Sequence, residues 1–174
     1  MPTIMTHAIV PLALAAAAGR ARIGPKLALA GATLAMLPDA DVVGFALGIE
    51  YADTWGHRGA THAAAFAVIV AGVVALVWRE ARSMGAFLFL AFAMTSHGLL
   101  DALTSGGLGP ALLWPVSDAR FFAPMTPIRV SPIGVDFFSA RGLATLKSEL
   151  TLVWLPCLAV AVTGLLVRRR TRIV

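Results

Sequence analysis

The sequence predicts an all-α fold, a polytopic membrane helix bundle of about five transmembrane helices with a long extracytoplasmic or re-entrant loop. Hydrophobic residues make up 59% of the 174 positions, charged residues only 13%, and the mean hydropathy is +0.84. Soluble domains are about 45–50% apolar and about 25% charged, so this composition indicates an integral membrane protein. Several apolar runs also approach the length of about 20 residues that a helix needs to cross a hydrocarbon core.

The five predicted spans are 3–19, 27–49, 61–78, 85–103 and 150–167. The first span ends in small residues of the kind that precede signal-peptide cleavage, but its positive charge follows the apolar run, so we expect a retained helix. Residues 104–149 are rich in glycine, proline and aromatic residues, and we expect them to form a cap or re-entrant loop over the helix ends. The chain length favours a single integral membrane domain, residues 1–174.

The basic residues predict the orientation of these spans. They are concentrated in "GRARIGPK" after the first span, "WREAR" after the third and "RRRTR" after the fifth. The positive-inside rule places these segments in the cytoplasm, so the N-terminus lies outside and the C-terminus inside. The net charge of +5 is thereby explained by membrane orientation, and we expect no nucleic-acid partner. The single cysteine, Cys157, excludes an internal disulfide framework and a cysteine-rich zinc site.

Ionisable residues within or beside the predicted spans mark the candidate site, because such residues are costly in a membrane unless they function there. At a rise of about 1.5 Å per residue, His7, His62 and His97 lie about 20–26 Å from the nearest basic loop. Several helices therefore bring polar groups to one depth, in the outer half of the membrane. The set contains every histidine of the chain and three aspartates: His7, Asp39, Asp41, His57, His62, His97 and Asp101.

The local spacings support a shared site. His97 and Asp101 are four residues apart, so both project from one face of a helix. In "LPDAD", the proline can break the second helix, so that Asp39 and Asp41 turn inward from irregular backbone. In "HRGATH", a glycine turn carries histidines at both ends and leads into the third span. The run Thr104–Gly107 is expected to end the fourth helix.

Imidazole and carboxylate together are typical ligands for a divalent cation, chiefly zinc, with manganese or iron as alternatives. Seven ligands exceed the four of one tetrahedral site, so we expect one to three ions, with Asp39 or Asp41 bridging if there is more than one. A cation would also neutralise carboxylates that are expensive to bury. Sites with two metal ions catalyse the hydrolysis of phosphate and related esters.

These motifs, in their order and spacing, resemble a known family, the membrane-bound metal-dependent hydrolases, also called the LexA-binding, inner membrane-associated (YdjM-like) hydrolases. The resemblance rests on "THAIVP", "LPDAD", "HRGATH" and "SHGLLDALTSGG", with "RFFAPMTPIRVSPIG" and Glu149 further along the chain. It covers nearly the whole sequence. It implies a small protein of the bacterial inner membrane, metal-dependent hydrolysis, and metal binding by the seven residues given above.

The leading hypothesis is hydrolysis of an ester or phosphoester at the extracytoplasmic face of the membrane. A carboxylate not committed to metal, Asp41 or Glu149, is the expected general base. Arg58, inside the "HRG" turn, is a further catalytic candidate that would hold an anionic head group, and Arg120 and Arg129 would add to substrate binding. A site level with lipid head groups predicts membrane lipids as partners and a lipid or lipid-linked substrate.

Two alternatives use the same ligands. A transporter or channel for a divalent metal or for protons would use them as a transit site, although the cytoplasmic halves of the first three spans contain no ionisable relay. A non-catalytic membrane protein would use the metal only to hold the five helices together. That third hypothesis predicts a closed, coordinatively saturated site.

Overall fold

The structure is a computed structural model that describes residues 1–132 and 134–171. Across these residues the protein is helical and has no β-strand, which confirms the predicted fold class. The helices, labelled in chain order, are α1 (Ile4–Ala18), α2 (Pro25–Met36), α3 (Val43–Ala46), α4 (Ala64–Val77), α5 (Met84–Ala102), α6 (Ala140–Glu149) and α7 (Leu155–Thr171).

Three helical stretches are long and apolar enough to cross a membrane: Pro25–Ala46, Met84–Ala102 and Ala140–Thr171. Two shorter apolar helices, α1 and α4, bring the apolar segments to the predicted five. At about 1.5 Å per residue, α1 and α4 each span only about 20–23 Å.

The core lies in the half of the bundle next to the basic loops. Helix α1 packs on both α2 and α7, and α5 packs on α2 and α4. The buried side chains at these contacts are mostly alanine, with Leu90, Phe89 and Met94 of α5 filling the space between. Small residues allow close helix approach, which is how helices associate in lipid. Larger apolar side chains such as Leu76 and Val77 remain exposed on the outside, as expected of a lipid-facing surface.

The proline of "LPDAD" has the predicted effect. Helix α2 ends at Met36, and residues Leu37–Val42 form a 3-10 helix with Pro38 at its start. Proline lacks the N–H that an α-helix would use and clashes with the preceding turn, so the backbone changes course here. The predicted span 27–49 thus corresponds to the helical stretch Pro25–Ala46, in which the 3-10 segment that carries the aspartates separates α2 from α3.

The loop after α5 folds back over the same end of the bundle. Its backbone is tied to the end of α5 by three hydrogen bonds, from Ala123 N–H to Ala102 O, from Ile128 N–H to Leu103 O and from Ser105 N–H to Ile128 O. It is tied to the loop before α4 by Ala111 N–H, which donates to Arg58 O. The expected cap over the helix ends is thus present, and α5 ends at Ala102, just before the predicted stop.

The predicted boundaries 104–149 and 150–167 are wrong at their junction. Residues 140–149 form α6, which continues through a π-helix at Leu150–Trp154 into α7. The sequence of α6 is polar overall but places Gly142, Thr145 and Glu149 on a buried face. An amphipathic helix of this kind has no long apolar run, so a hydropathy criterion assigns it to the loop.

Candidate metal centre

All seven predicted ligands lie together at the capped end of the bundle, and their side chains are almost fully buried. Helix α1 supplies His7, the 3-10 helix after α2 supplies Asp39 and Asp41, and the loop before α4 supplies His57 and His62. Helix α5 supplies His97 and Asp101. Four chain segments therefore meet at one point, as the shared depth predicts.

Four of these residues form the inner ligand group, Asp39, His62, His97 and Asp101. His62 Nε2 lies 3.0 Å from His97 Nε2, and the Asp39 Oδ1 to His97 Nε2 distance is 3.3 Å. Asp101 Oδ2 lies 3.4 Å from His62 Nε2 and 3.8 Å from His97 Nε2. Asp39 Oδ1 lies 3.8 Å from His62 Nε2. One ligand atom from each residue thus faces a common centre.

These separations fit one tetrahedral ion. With ligand bonds of about 2.0–2.2 Å, a tetrahedral zinc site has ligand-to-ligand distances of about 3.3–3.6 Å. Five of the six distances in the inner ligand group lie between 3.0 and 3.8 Å, and all are within 4.8 Å. The donor set of two imidazoles and two carboxylates also suits zinc and its first-row neighbours.

The carboxylates of the inner ligand group lack hydrogen bonds. Both oxygens of Asp39 and both of Asp101 are buried without a hydrogen-bond partner among the described residues. A buried carboxylate in this condition costs several kcal/mol, so native proteins pair it, hydrogen-bond it or coordinate it to a metal. Arg58 Nε lies 3.1 Å from Asp101 Oδ2, which balances one charge and leaves Asp39 unbalanced. The site therefore fits a cation.

Hydrogen bonds at the far side of each imidazole set its tautomer. His97 Nδ1 lies 2.7 Å from the carbonyl oxygen of Ala35 and must donate to it. Thr61 Oγ1 donates to Asp41 Oδ2, so at 3.0 Å from His62 Nδ1 it accepts that proton. When the two imidazoles are neutral, each ring turns an unprotonated Nε2 toward the centre. Two such lone pairs 3.0 Å apart repel each other unless a cation lies between them.

Asp41 is placed differently from Asp39, although the two are separated by one residue. Its Oδ1 accepts from His57 Nδ1 at 2.7 Å, and its Oδ2 accepts from the Thr61 hydroxyl at 2.8 Å and the Arg58 N–H at 3.2 Å. Its oxygens already have three donors. A second group that could hold an ion consists of Asp41, His57 and His62. The hydrogen bonds instead favour Asp41 as the carboxylate that orients the imidazole of His62 through Thr61.

His57 lies at the more open side of the centre. His57 is 6% exposed, and its Nδ1 is hydrogen-bonded to Asp41 Oδ1. Its Nε2 has no hydrogen bond among the described residues. Tyr51 packs against it edge to face, at a centroid distance of 5.3 Å. A histidine held by a carboxylate at one nitrogen and free at the other is the arrangement that a general base requires.

The guanidinium of Arg58, which the sequence assigns to anion binding, is bound by other groups of the protein. Its Nη1 donates to the carbonyl oxygens of Gly106 and Leu108, and its Nη2 donates to Thr104 Oγ1. Its backbone has φ +65°, an uncommon value for a residue with a side chain, and one typical of functional sites. Arg58 thus ties the cap loop to Asp101, and its predicted binding of substrate stays a prediction.

His7 completes the cluster from α1. Its ring stacks on His97 at a centroid distance of 3.6 Å, and its Nε2 lies 3.7 Å from Asp101 Oδ1. Neither ring nitrogen has a hydrogen-bond partner among the described residues. His7 therefore lies beside the inner ligand group but outside it, and its predicted role as a metal ligand stays a prediction.

The other predicted site residues lie elsewhere. Glu149 accepts three hydrogen bonds from Thr3 and Thr6 and belongs to neither ligand group. Arg120 donates to backbone oxygens of His57 and of the loop before it, and partial burial lowers the pKa of its guanidinium from the ordinary value. Arg129 is exposed. Their roles in catalysis or substrate binding stay predictions.

Two residues that build the site are not identified as site residues by the sequence analysis. Thr61 links His62 to Asp41, and Gly98 allows α5 to approach the turn that carries His62, because a Cβ at Gly98 would collide with the His62 carbonyl oxygen. Thr61 does lie inside the "HRGATH" motif, which is the signal that could have found it.

Comparisons with known proteins match nearly the whole chain. The family model described as the YdjM inner membrane protein matches residues 1–173. A curated relative, the inner membrane protein YbcI of Escherichia coli (strain K12), is 44% identical over 160 residues, which cover 90% of this chain and 92% of the relative. No solved structure matches the chain.

Proposed function

Since this chain belongs to the YdjM inner membrane protein family, we propose that it is a metal-dependent hydrolase of the inner membrane that cleaves an ester or phosphoester. The family assignment confirms the resemblance drawn from the motifs and the inner membrane location. The observation that carries the proposal is the pair of buried carboxylates, Asp39 and Asp101, which have no hydrogen-bond partner among the described residues and lie within 3.8 Å of the Nε2 atoms of His62 and His97.

In this proposal the inner ligand group holds one divalent cation, zinc above manganese or iron. Three aspartates and Arg58 leave two uncompensated negative charges when the histidines are neutral, which is the charge that one such ion balances. A cation held by these residues would supply Lewis-acid chemistry, which acidifies a water molecule and polarises an ester oxygen. The Thr61 hydroxyl, which donates to Asp41, and the Ala35 carbonyl hold the two imidazole ligands in the tautomer that the cation needs.

His57 is the general base of the proposal, in place of the aspartate or glutamate expected from the sequence. Asp41 keeps the proton on Nδ1 of His57, so Nε2 is free to accept a proton from the attacking water. Later it would return that proton to the leaving group. Arg58 positions Asp101 and fixes the cap loop through its three hydrogen bonds, without needing to contact substrate.

The surroundings of the centre support a lipid or lipid-linked substrate. The segment between Asp41 and His57 exposes Val43 at 61%, Leu47 at 75% and Trp55 at 51%. The basic residues of the loops at 20–26 and 79–82 and of the end of α7 lie at the opposite ends of α1, α2, α4, α5 and α7, which supports placing this apolar rim and the centre at the outer face of the membrane, with the N-terminus outside. A substrate at that depth would reach the centre sideways from the bilayer.

One observation favours a second function, a metal that only holds the helices together. The four members of the inner ligand group are 0–4% exposed, and closed four-ligand sites are typical of structural zinc. The two functions differ in what His57 does, because a structural site has no use for a base beside it.

The test compares metal content and turnover in the purified protein. Metal analysis of the wild type should give about one equivalent of zinc, and chromogenic phosphate and carboxylate esters should be hydrolysed until a chelator is added. In His57→Ala, metal content should stay unchanged while turnover falls by about 10²–10⁴-fold. Bound metal without turnover on any ester would support the structural function instead, and metal flux into liposomes would support a transporter.

A further inference from the structure

A second polar site lies at the other end of the α1–α7 contact, away from the candidate metal centre. A cavity of about 280 Å³ opens there between the end of α1 and the last turns of α7. It is lined by Ala18, Gly19, Arg20, Ala21, Leu165, Arg168 and Arg169. Three of the seven lining residues are arginines and none is acidic, while the rest are small or apolar.

Close helix packing places one of these arginines against the end of α1. A Cβ at Gly164 would lie 2.6 Å from Ala17 Cα, so only glycine allows α7 to approach α1 this closely. Arg168 follows one turn later on the same face of α7. Its Nη2 donates to the carbonyl oxygen of Ala16 at 2.8 Å and thus caps the end of α1.

The other terminal nitrogen of this guanidinium has no acceptor. Arg168 Nη1 is buried and has no hydrogen-bond partner among the described residues. A buried charged donor is costly when it is left unpaired, so the cavity calls for an anion. The planar guanidinium of arginine presents several N–H donors, and these match the several oxygens of a phosphate better than they match a single acceptor atom.

We propose that this cavity binds the phosphate of an anionic phospholipid from the cytoplasmic leaflet. Arg168 Nη1 donates to a phosphate oxygen, and Arg20 and Arg169 supply the surrounding positive charge. Leu165 and Ala18 border the cavity with apolar surface suited to the glycerol and upper acyl carbons. Basic pockets between transmembrane helices on the cytoplasmic side are a general means of recognising such head groups.

The test measures lipid retention and uses two variants that remove the same charge. The protein is reconstituted in nanodiscs of phosphatidylcholine with or without phosphatidylglycerol, and the lipid retained after transfer to detergent is counted by native mass spectrometry. The wild type should retain phosphatidylglycerol over phosphatidylcholine. Arg168→Gln should lower that retention about tenfold or more, as expected for a lost charge-assisted hydrogen bond. Arg170→Gln, at an exposed position outside the cavity lining, should retain it like the wild type.

Equal losses in the two variants would overturn the proposal, since they would indicate diffuse attraction between the membrane and any terminal arginine. Equal retention of the neutral lipid would also overturn it. Inorganic phosphate that competes for the cavity as well as the lipid does at equal concentration would indicate a site for a free anion. If Arg168→Gln does not fold, Arg168→Lys keeps the charge but loses the fork, and retention unchanged in that variant would contradict phosphate recognition by the guanidinium.

Discussion

Two buried carboxylate sites of this protein can be compared directly. Glu149 and Asp101 are both 0% exposed. Glu149 Oε1 accepts from the Thr3 N–H, and its Oε2 accepts from the hydroxyls of Thr3 and Thr6, each at 2.6 Å. Asp101 has an arginine beside it but no hydrogen bond to either oxygen among the described residues. The two carboxylates are equally buried, but among the described residues only that of Glu149 accepts hydrogen bonds.

The difference shows that burial alone does not identify a metal ligand. Three donors stabilise the carboxylate of Glu149, so that site needs no cation and serves to hold the start of the chain against the π-helix. The carboxylates of Asp39 and Asp101 face imidazole nitrogens that are themselves acceptors when the rings are neutral. A bound cation would satisfy that arrangement.

Asp101→Asn and Asp39→Asn should each abolish stoichiometric metal binding. An amide is a poor ligand for zinc and brings an N–H₂ group into a cluster of acceptors, so affinity should fall by about 10³-fold or more. Metal analysis of the purified variants checks this. Glu149→Gln is the matched control, since it changes an equally buried carboxylate, and loss of metal in that variant as well would break the comparison.

Removal of the metal should destabilise the fold at the capped end. A cation that binds only the folded state contributes about 4 kcal/mol when its concentration is about 1,000 times its dissociation constant. Chelation should therefore lower the thermal midpoint of the wild type, measured by the fluorescence of the tryptophans. The Asp101→Asn protein should not respond to the chelator, and a response equal to that of the wild type would mean that the stabilising ion lies elsewhere.

Asp41→Asn should weaken metal binding without abolishing it. Carboxylates that orient an imidazole ligand typically contribute 10–100-fold to affinity, about the effect expected here. Competition with a chromogenic chelator measures the dissociation constant. Thr61→Val should reproduce part of the same loss, since it breaks the link from His62 to Asp41. An effect of Asp41→Asn as large as that of Asp101→Asn would instead assign Asp41 to the metal itself.

Glu149→Gln should leave metal binding unchanged and lower stability by about 1–3 kcal/mol, because one accepted hydrogen bond becomes a clash of donors at the start of α1. Denaturant or thermal unfolding in detergent measures the change. A double variant with Thr3→Val should lose less than the sum of the two single losses, because both residues belong to one hydrogen-bonded group. Full additivity would indicate that they do not interact.

Much of the site could be predicted from residue spacing. Distance along each helix from a basic loop placed His7, Asp39, His62 and His97 at one depth, and Pro38 located the break that turns the aspartates inward. These inferences need only the regular geometry of helices and the cost of burying charge. The same two facts explain why all four segments meet, since polar groups within a membrane gain most by satisfying one another.

The division of roles among the carboxylates could not be predicted. Asp39, Asp41 and Glu149 all carry a carboxylate and have similar hydropathy, so the sequence does not distinguish them. The positions of three threonines, Thr3, Thr6 and Thr61, decide which carboxylate oxygens accept hydrogen bonds. Those positions depend on tertiary contacts across up to 146 residues of sequence. Tertiary packing also determines two other features, the hydrogen bonds of Arg58 to the cap loop and the helix at 140–149. No local sequence pattern predicts either of them.

The spread of the ligands along the chain bears on how the protein is made. His62 and His97 lie on either side of the loop between α4 and α5, and Asp101 is the last of the inner ligand group to leave the ribosome. If the inner ligand group holds an ion, capture of that ion would have to wait until the fourth apolar helix has entered the bilayer. Until then the aspartates of an incompletely inserted chain would remain unneutralised, which is a chemical difference between finished and unfinished molecules.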